Sequence, residues 1–261
     1  MTMSDAITKA SKLIGAEDYA AKYLVDMEFE RYLITARQDR CLEFLDSHKP
    51  GSVLEVGCGP DLLIDRFDLA ASSIHQWMVV EPSFYADGTA ARMAGSAKIG
   101  LTRGYLEDQV EPLRAAAPAG YDVVMLSGLL HETSNPATML ATSHALLRPG
   151  GHLFVSVPNA KSFHRLLAVE MGLMETATQL STRNIELGQP TVFHRETLEA
   201  LVREAGFEAP DYSGYMFKPF SNDQMAQLVT LFGSEIVQGL NRLGRNFPEH
   251  AAEIAIVARK G

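Results

Sequence analysis

Residues 53–61 read Val53-Leu54-Glu55-Val56-Gly57-Cys58-Gly59-Pro60-Asp61. An apolar run enters a pair of glycines, and the residues beyond, 62–67, read as helical. Glycine adopts positive φ without penalty and lets a ligand approach the main chain. A helix that starts there would add partial positive charge. Such a turn suits a nucleotide-like cofactor. A dinucleotide fingerprint would need a third glycine at position 62, which holds Leu62, and no G-x-x-x-x-G-K-[ST] phosphate loop occurs.

The pattern repeats outward from this turn. Short apolar runs stand at 52–56, 77–80, 99–101, 121–126 and 152–157, with helical stretches between them. Strands at that spacing imply crossover connections and a mostly parallel sheet buried on both faces. Asn135-Pro136 opens a helix over 137–147 that Arg148-Pro149-Gly150-Gly151 stops. Another helix runs over 196–205, with Gly206 as its C-cap. Strands at about 213–217 and 253–258 would complete seven, with a helical stretch over 223–243 between them. Residues 17–48 carry helical periodicity without Gly or Pro. The expected class is α/β, with a helical N-terminal cover over 1–50 and a main domain over 51–261. That domain carries helical insertions at about 159–194 and 219–250.

Together these motifs resemble the class I S-adenosylmethionine-dependent methyltransferases, whose fold is a Rossmann-like seven-stranded sheet. Glu55-x-Gly57-x-Gly59 is similar to the first family motif, and Val79-Val80-Glu81-Pro82 to the second. The resemblance implies that Glu55, Gly57 and Gly59 meet the methionine part of the cofactor. It implies that Glu81, with Pro82, takes the ribose hydroxyls. Tyr105 and Leu106 stand where the family contacts adenine. Ser127 ends a run, 121–127, that resembles the fourth-strand motif, and 147–151 resembles the approach to the fifth strand. Asp61 departs from the third glycine common in the family, which leaves the loop shape open. Residues 157–165 and 214–219 resemble bacterial small-molecule methyltransferases.

Composition narrows the partners. The chain has 261 residues, 46% of them hydrophobic and 21% charged, which excludes disorder and fibres. Its net charge is 23 − 32 = −9, which argues against nucleic acid. Cys41 and Cys58 form no CxxC pair, and His131-Glu132 lacks chelate spacing, so no metal is expected. No signal-like h-region or membrane-length apolar run occurs, so a cytoplasmic setting is expected. Oligomeric state stays open, self-association included.

Methyl transfer needs collinear positioning, and a hydroxyl acceptor benefits from a base. Histidines beyond the strand ends are the candidates: His131 after the fourth strand and His164 after the fifth. His131 could instead make a structural hydrogen bond that shapes its loop, and His164 could simply start a solvated helix. Asn159, Arg165, His194 and Lys218 are the candidate substrate contacts, with an anionic substrate in view for the two cations. Ordinary surface charge or capping is the plainer reading of each. Tyr19, Tyr23 and Tyr32 could close over the cofactor or simply pack. The resemblance thus leads to a methyltransferase acting on an oxygen of a small metabolite, hydroxyl or acid. The alternatives are a nitrogen acceptor, a non-catalytic cofactor-binding protein and, disfavoured by Leu62, a nicotinamide enzyme.

Overall fold

The computed structural model describes residues 14–25 and 27–261; of the expected N-terminal cover, 1–13 and 26 lie outside the described residues. Seven strands form one sheet in the order β3-β2-β1-β4-β5-β7-β6. They are β1 (Ser52–Val56), β2 (Gln76–Glu81), β3 (Ile99–Arg103), β4 (Tyr121–Ser127), β5 (Leu147–Pro158), β6 (Phe207–Tyr215) and β7 (Glu253–Lys260). The first five run parallel, whereas β7 lies antiparallel between β5 and β6. The chain order reverses at β1, between β2 and β4, and ligands of open α/β sheets bind beyond the strand ends at such a switch.

Apolar side chains cover both faces. One core gathers Val53, Trp77, Val79, Val123, Met125 and Phe154; the other gathers Leu54, Val80, Val124, Leu126, Leu153 and Val155. Neighbouring strand residues point to opposite faces, so near-continuous Val and Leu fills both layers.

Four expectations need correction. Residues 17–48 form two helices, α1 (Ala16–Tyr23) and α2 (Glu30–His48), because a single rod could not serve both ends of this segment. The α2 side chains Leu33, Cys41, Phe44 and Leu45 enter the sheet core, whereas Val25 in the break is 84% exposed. Next, 62–67 makes only a single 3-10 turn, Leu63–Arg66. Leu62, Leu63 and Ile64 are all buried, which an α-helix with one inward stripe could not achieve. The helix-terminus charge expected at the glycine loop is therefore missing. The helical stretch 223–243 is α9 (Asn222–Phe232) and α10 (Glu235–Gly244), broken at Gly233 with φ +81°. Finally, β6 begins at Phe207 directly after Gly206, and Met216, with φ 59°, turns the chain away before 217.

The remaining helices are α3 (Ala86–Met93), α4 (Val110–Ala116), α5 (Pro136–Leu146), α6 (Phe163–Glu170), α7 (Thr182–Glu186) and α8 (Arg195–Glu204). Asn135 caps α5 by accepting from the Thr138 N–H at 3.1 Å. No helix among the described residues is long and apolar enough to cross a membrane.

Candidate active site

A cavity of about 580 Å³ runs along the carboxyl ends of β3, β2, β1 and β4. Its volume is within the usual range for small-molecule sites, roughly 300–1,000 Å³. Tyr105 and Leu106 line it after β3, Glu81 and Pro82 after β2, Glu55, Gly57 and Gly59 at β1, and Ser127 at β4. All eight residues expected to meet the cofactor thus border one space.

The loop is shaped by its glycines and by Glu81. Gly57 and Gly59 have φ +75° and +64°, a region that favours glycine. A Cβ on Gly59 would meet nothing within 4 Å, so the main chain there is open to a ligand. The Gly57 N–H donates to the Val80 carbonyl at 2.8 Å, tying the loop to β2. Glu81 is buried, and Oε2 accepts the Cys58 N–H at 3.0 Å. Its Oε1 accepts from the Ser83 N–H at 2.9 Å and from the Ser83 hydroxyl at 2.6 Å. A carboxylate has lone pairs beyond these three bonds. Glu55 accepts from the Trp77 indole at 2.8 Å, and burial, with the nearby Glu81 charge, pushes its pKa up to about 7. The eight residues therefore follow one another along the strand ends, from β3 through β2 and β1 to β4. The residues fit S-adenosylmethionine through main-chain approach and the Glu81 carboxylate, without a helix terminus.

The cover brings in Tyr19 and Tyr23 of the three tyrosines considered from sequence, and with them Arg37, which the sequence did not single out. Tyr19, Tyr23 and Arg37 line the cavity from α1 and α2, and Glu132 lines it from the loop after β4. The Tyr19 hydroxyl donates to Glu132 Oε1 and accepts from Gln189 Nε2 at 3.2 Å. Burial pushes the Glu132 carboxyl up to about 8, against the opposing pull of Tyr19 and Arg37. Arg37 is held by Glu253 and lies against Gly128; a Cβ there would sit 2.7 Å from the guanidinium. Helical periodicity placed Arg37 on α2, but nothing local marks the face it presents.

The histidines are placed differently from expectation. His131 is buried behind the wall, its Nε2 3.7 Å from Glu132 Oε1, and desolvation pushes its pKa down to about 3. Glu132, one residue on, lines the cavity instead, with Gly128, Leu129 and Thr133 of the same loop. His164 also lies off the wall; burial holds it well below its usual pKa.

The candidate substrate contacts do not line the cavity either. Asn159 is buried, and its side-chain amide donates to the carbonyls of Glu249 and Ala251 at 3.0 and 2.9 Å. It fastens the end of β5 to the approach of β7. His194 caps α8 and holds Glu196 with Nδ1 at 2.5 Å. Arg165 donates to the carbonyls of Ala177 and Gln179, bracing the loop after α6. Lys218 is buried behind Asn222. Among the described residues no cluster of His, Cys, Asp and Glu could hold a metal.

Known proteins share this architecture. A family model described as a methyltransferase domain matches residues 28–210. The ubiquinone biosynthesis O-methyltransferase of Xylella fastidiosa (strain 9a5c) is 30% identical over 185 residues, 69% of this chain and 72% of that protein. Its counterpart from Paraburkholderia phytofirmans is 29% identical over 187 residues, 70% of this chain and 77% of that one. The plantazolicin methyltransferase BamL, solved with a desmethyl substrate analog and SAH, superposes with TM-score 0.62. It covers 98% of both chains at 14% identity. The 1,6-didemethyltoxoflavin-N1-methyltransferase of Burkholderia thailandensis gives 0.57 at 17% identity, over 92% of this chain and 86% of that one. These two share the fold. With the family match and the glycine-loop geometry in agreement, the chain belongs to the class I S-adenosylmethionine-dependent methyltransferases, enzymes of small-molecule type.

Proposed function

We propose that the enzyme methylates an oxygen of a small metabolite and that Glu132 takes the acceptor's proton. The observation that carries this reading is the Tyr19–Glu132 hydrogen bond on the cavity wall beyond β4. Bound S-adenosylmethionine supplies an electrophilic methyl group. A hydroxyl that attacks carbon must shed a proton, and a carboxyl raised to about 8 accepts one near neutral pH. Tyr19 orients that carboxylate, and Gln189 orients Tyr19 in turn. Glu81 holds the ribose hydroxyls in this reading, and Gly57 and Gly59 admit the methionine part. Arg37, a buried cation on the wall, takes its carboxylate. Tyr105 and Leu106 border the adenine, and Ser127, whose hydroxyl lies 3.3 Å from the Cys41 sulfur, borders the tail.

The named relatives act on oxygen, which supports oxygen over nitrogen as acceptor. Cys41 and Cys58 are free buried thiols, in keeping with a reducing cytoplasm.

The test is direct. The purified chain is incubated with S-adenosylmethionine and matched phenols, catechols, carboxylic acids and amines, and methylated products are identified by mass and NMR. O-methylated product that disappears with Glu132→Gln is the expected result. Methylation of amines alone would sink the oxygen reading. Cofactor binding without turnover of any class would favour a non-catalytic role.

A further inference from the structure

Several buried polar groups at the start of α6 lack partners. Ser162 is the N-cap of α6 and fully buried, yet its hydroxyl makes no cap bond and meets no other partner. An N-cap hydroxyl ordinarily accepts from the helix's second or third N–H. The main-chain N–H groups of Phe163 and His164 open the first turn of α6, where no carbonyl of the helix stands ahead to accept them. The Nδ1 of the His164 ring is likewise buried and unpartnered. The buried Lys218 ammonium donates to a neutral acceptor, Asn222 Oδ1, at 2.5 Å. An ammonium has three N–H groups to place.

Charge points the same way. Burial first, and then the charges of the Lys218 ammonium and the Arg165 guanidinium, keep His164 neutral. Two carboxylates favour the charged Lys218, Glu30 more than Glu253; Glu30 already accepts from Tyr23 at 2.6 Å and Asn222 at 3.1 Å and lies 3.7 Å from Arg183, and Glu253 is held by Arg37 and Tyr215. Cations therefore outnumber anions in a buried corner of a chain whose net charge is −9. Buried polar groups in folded proteins find partners in the protein, in ordered water or in a bound ion. A single water satisfies few donors and offsets no charge. An oxyanion does both, and helix N-termini and ammonium groups are its usual hosts.

A chain of hydrogen bonds joins this corner to the cavity wall. Lys218 bonds Asn222, Asn222 bonds Glu30, and Glu30 bonds Tyr23, whose side chain lines the cavity. We propose that Ser162, His164, Lys218 and the first N–H groups of α6, with Arg165 at the edge, form a subsite for a carboxylate or phosphate carried by the methyl acceptor. The assignment of this anion to the acceptor rests on the small-molecule reading above; the site itself does not. His164 Nδ1 donates to the anion as imidazolium, or accepts from a protonated oxygen such as that of hydrogen phosphate.

The test reads binding and not turnover. The full chain, saturated with S-adenosylhomocysteine and labelled with ¹⁵N-histidine, is titrated with inorganic phosphate, and separately with benzoate, at ionic strength held with chloride. The His164 ring signals, assigned by their loss in His164→Gln, shift saturably with at least one probe. Lys218→Met and Ser162→Ala each weaken that binding, the first at least tenfold. Circular dichroism shows which variants remain folded, and Ser162→Ala keeps the test open should Lys218→Met unfold. Saturation with phosphate alone marks a phosphorylated acceptor, and with benzoate alone an acid. No saturable shift with either probe, or equal affinity in the folded variants, overturns the subsite and assigns the corner to water. Saturable binding without methylation of any acidic compound would leave the subsite standing and refute the acceptor reading alone.

Discussion

Arg37 on α2 grips Glu253, the first residue of β7, across 216 positions of sequence. Nε donates to Oε2 at 2.9 Å and Nη2 donates to Oε1, while the Tyr215 hydroxyl donates to Oε2 at 2.6 Å. Glu253 is buried and Arg37 is mostly so, which leaves the carboxylate little but the guanidinium and Tyr215 to hold its charge. It fastens the N-terminal cover to the far side of the sheet and sets the guanidinium on the cavity wall.

Breaking one side of this pair strands the other. Glu253→Gln is expected to destabilise the fold by roughly 3–5 kcal/mol, the usual cost of an uncompensated buried charge. Urea unfolding of the two proteins measures the difference. A loss below about 1 kcal/mol would mean that water reaches Arg37, since exposed pairs contribute no more than that.

Glu132→Gln is expected to lower kcat by roughly 10²–10⁴, the range for a lost general base. Cofactor affinity, read by calorimetry, should change little. In the wild type, activity rises as pH climbs through about 8, where Glu132 loses its proton. That limb should vanish in Glu132→Gln. Tyr19→Phe keeps the carboxylate but removes its donor, so its smaller loss should come with an acid limb at higher pH.

The same carboxyl makes stability depend on pH. Glu55 and Glu132 are raised to about 7 and about 8 in the fold, against roughly 4.3 in an unfolded chain. Between those limits the native state keeps protons that the unfolded state has released. Their contribution is full below about pH 4 and is lost as pH rises through 7 and 8. Urea unfolding of the cofactor-free protein at pH 5.5, 7 and 8.5 should show falling stability, with the upper part of the slope flattened in Glu132→Gln.

Glu81→Ala is expected to weaken S-adenosylhomocysteine binding by roughly 1–3 kcal/mol, the cost of losing a hydrogen bond to a charged group. It also releases the Cys58 N–H, which pulls on the glycine loop. Glu81→Gln separates the two effects, because an amide oxygen can still accept from that N–H. Unaltered affinity in both variants would refute the ribose assignment.

Gly128→Ala should cost more than Gly59→Ala. Both positions have positive φ, worth about 1–2 kcal/mol of strain for an L side chain. At Gly59 a Cβ enters open space, but at Gly128 it meets the Arg37 guanidinium at 2.7 Å. Thermal unfolding ranks the two. An equal loss would show that the Arg37 side chain can shift without loosening Glu253.

The sheet and the cofactor end of the cavity were legible because their signals are local. A buried parallel strand must be apolar throughout, and a main chain that turns at positive φ beside a ligand favours glycine. Val53–Val56, Gly57 and Gly59 therefore declare themselves within one short stretch, and Glu81 does so at the end of the next strand. The helix expected after Asp61 failed for a local reason as well: three consecutive buried residues, 62–64, suit a 3-10 turn, and periodicity over so short a run cannot separate the two. The α1–α2 break carries neither Gly nor Pro, so only packing against the core reveals it.

What the sequence by itself determined is the α/β order of elements, the family and the residues that border the cofactor cavity. Each of those depends on spacing along one stretch of chain. Only the tertiary structure decided which polar groups of the cover and of the loop after β4 line the cavity: Tyr19, Tyr23 and Arg37, with Glu132 rather than His131, while Lys218 lies off the wall. These contacts join residues up to 216 positions apart. Their charges and pKa values follow from desolvation and neighbours, which exist only once the chain has closed.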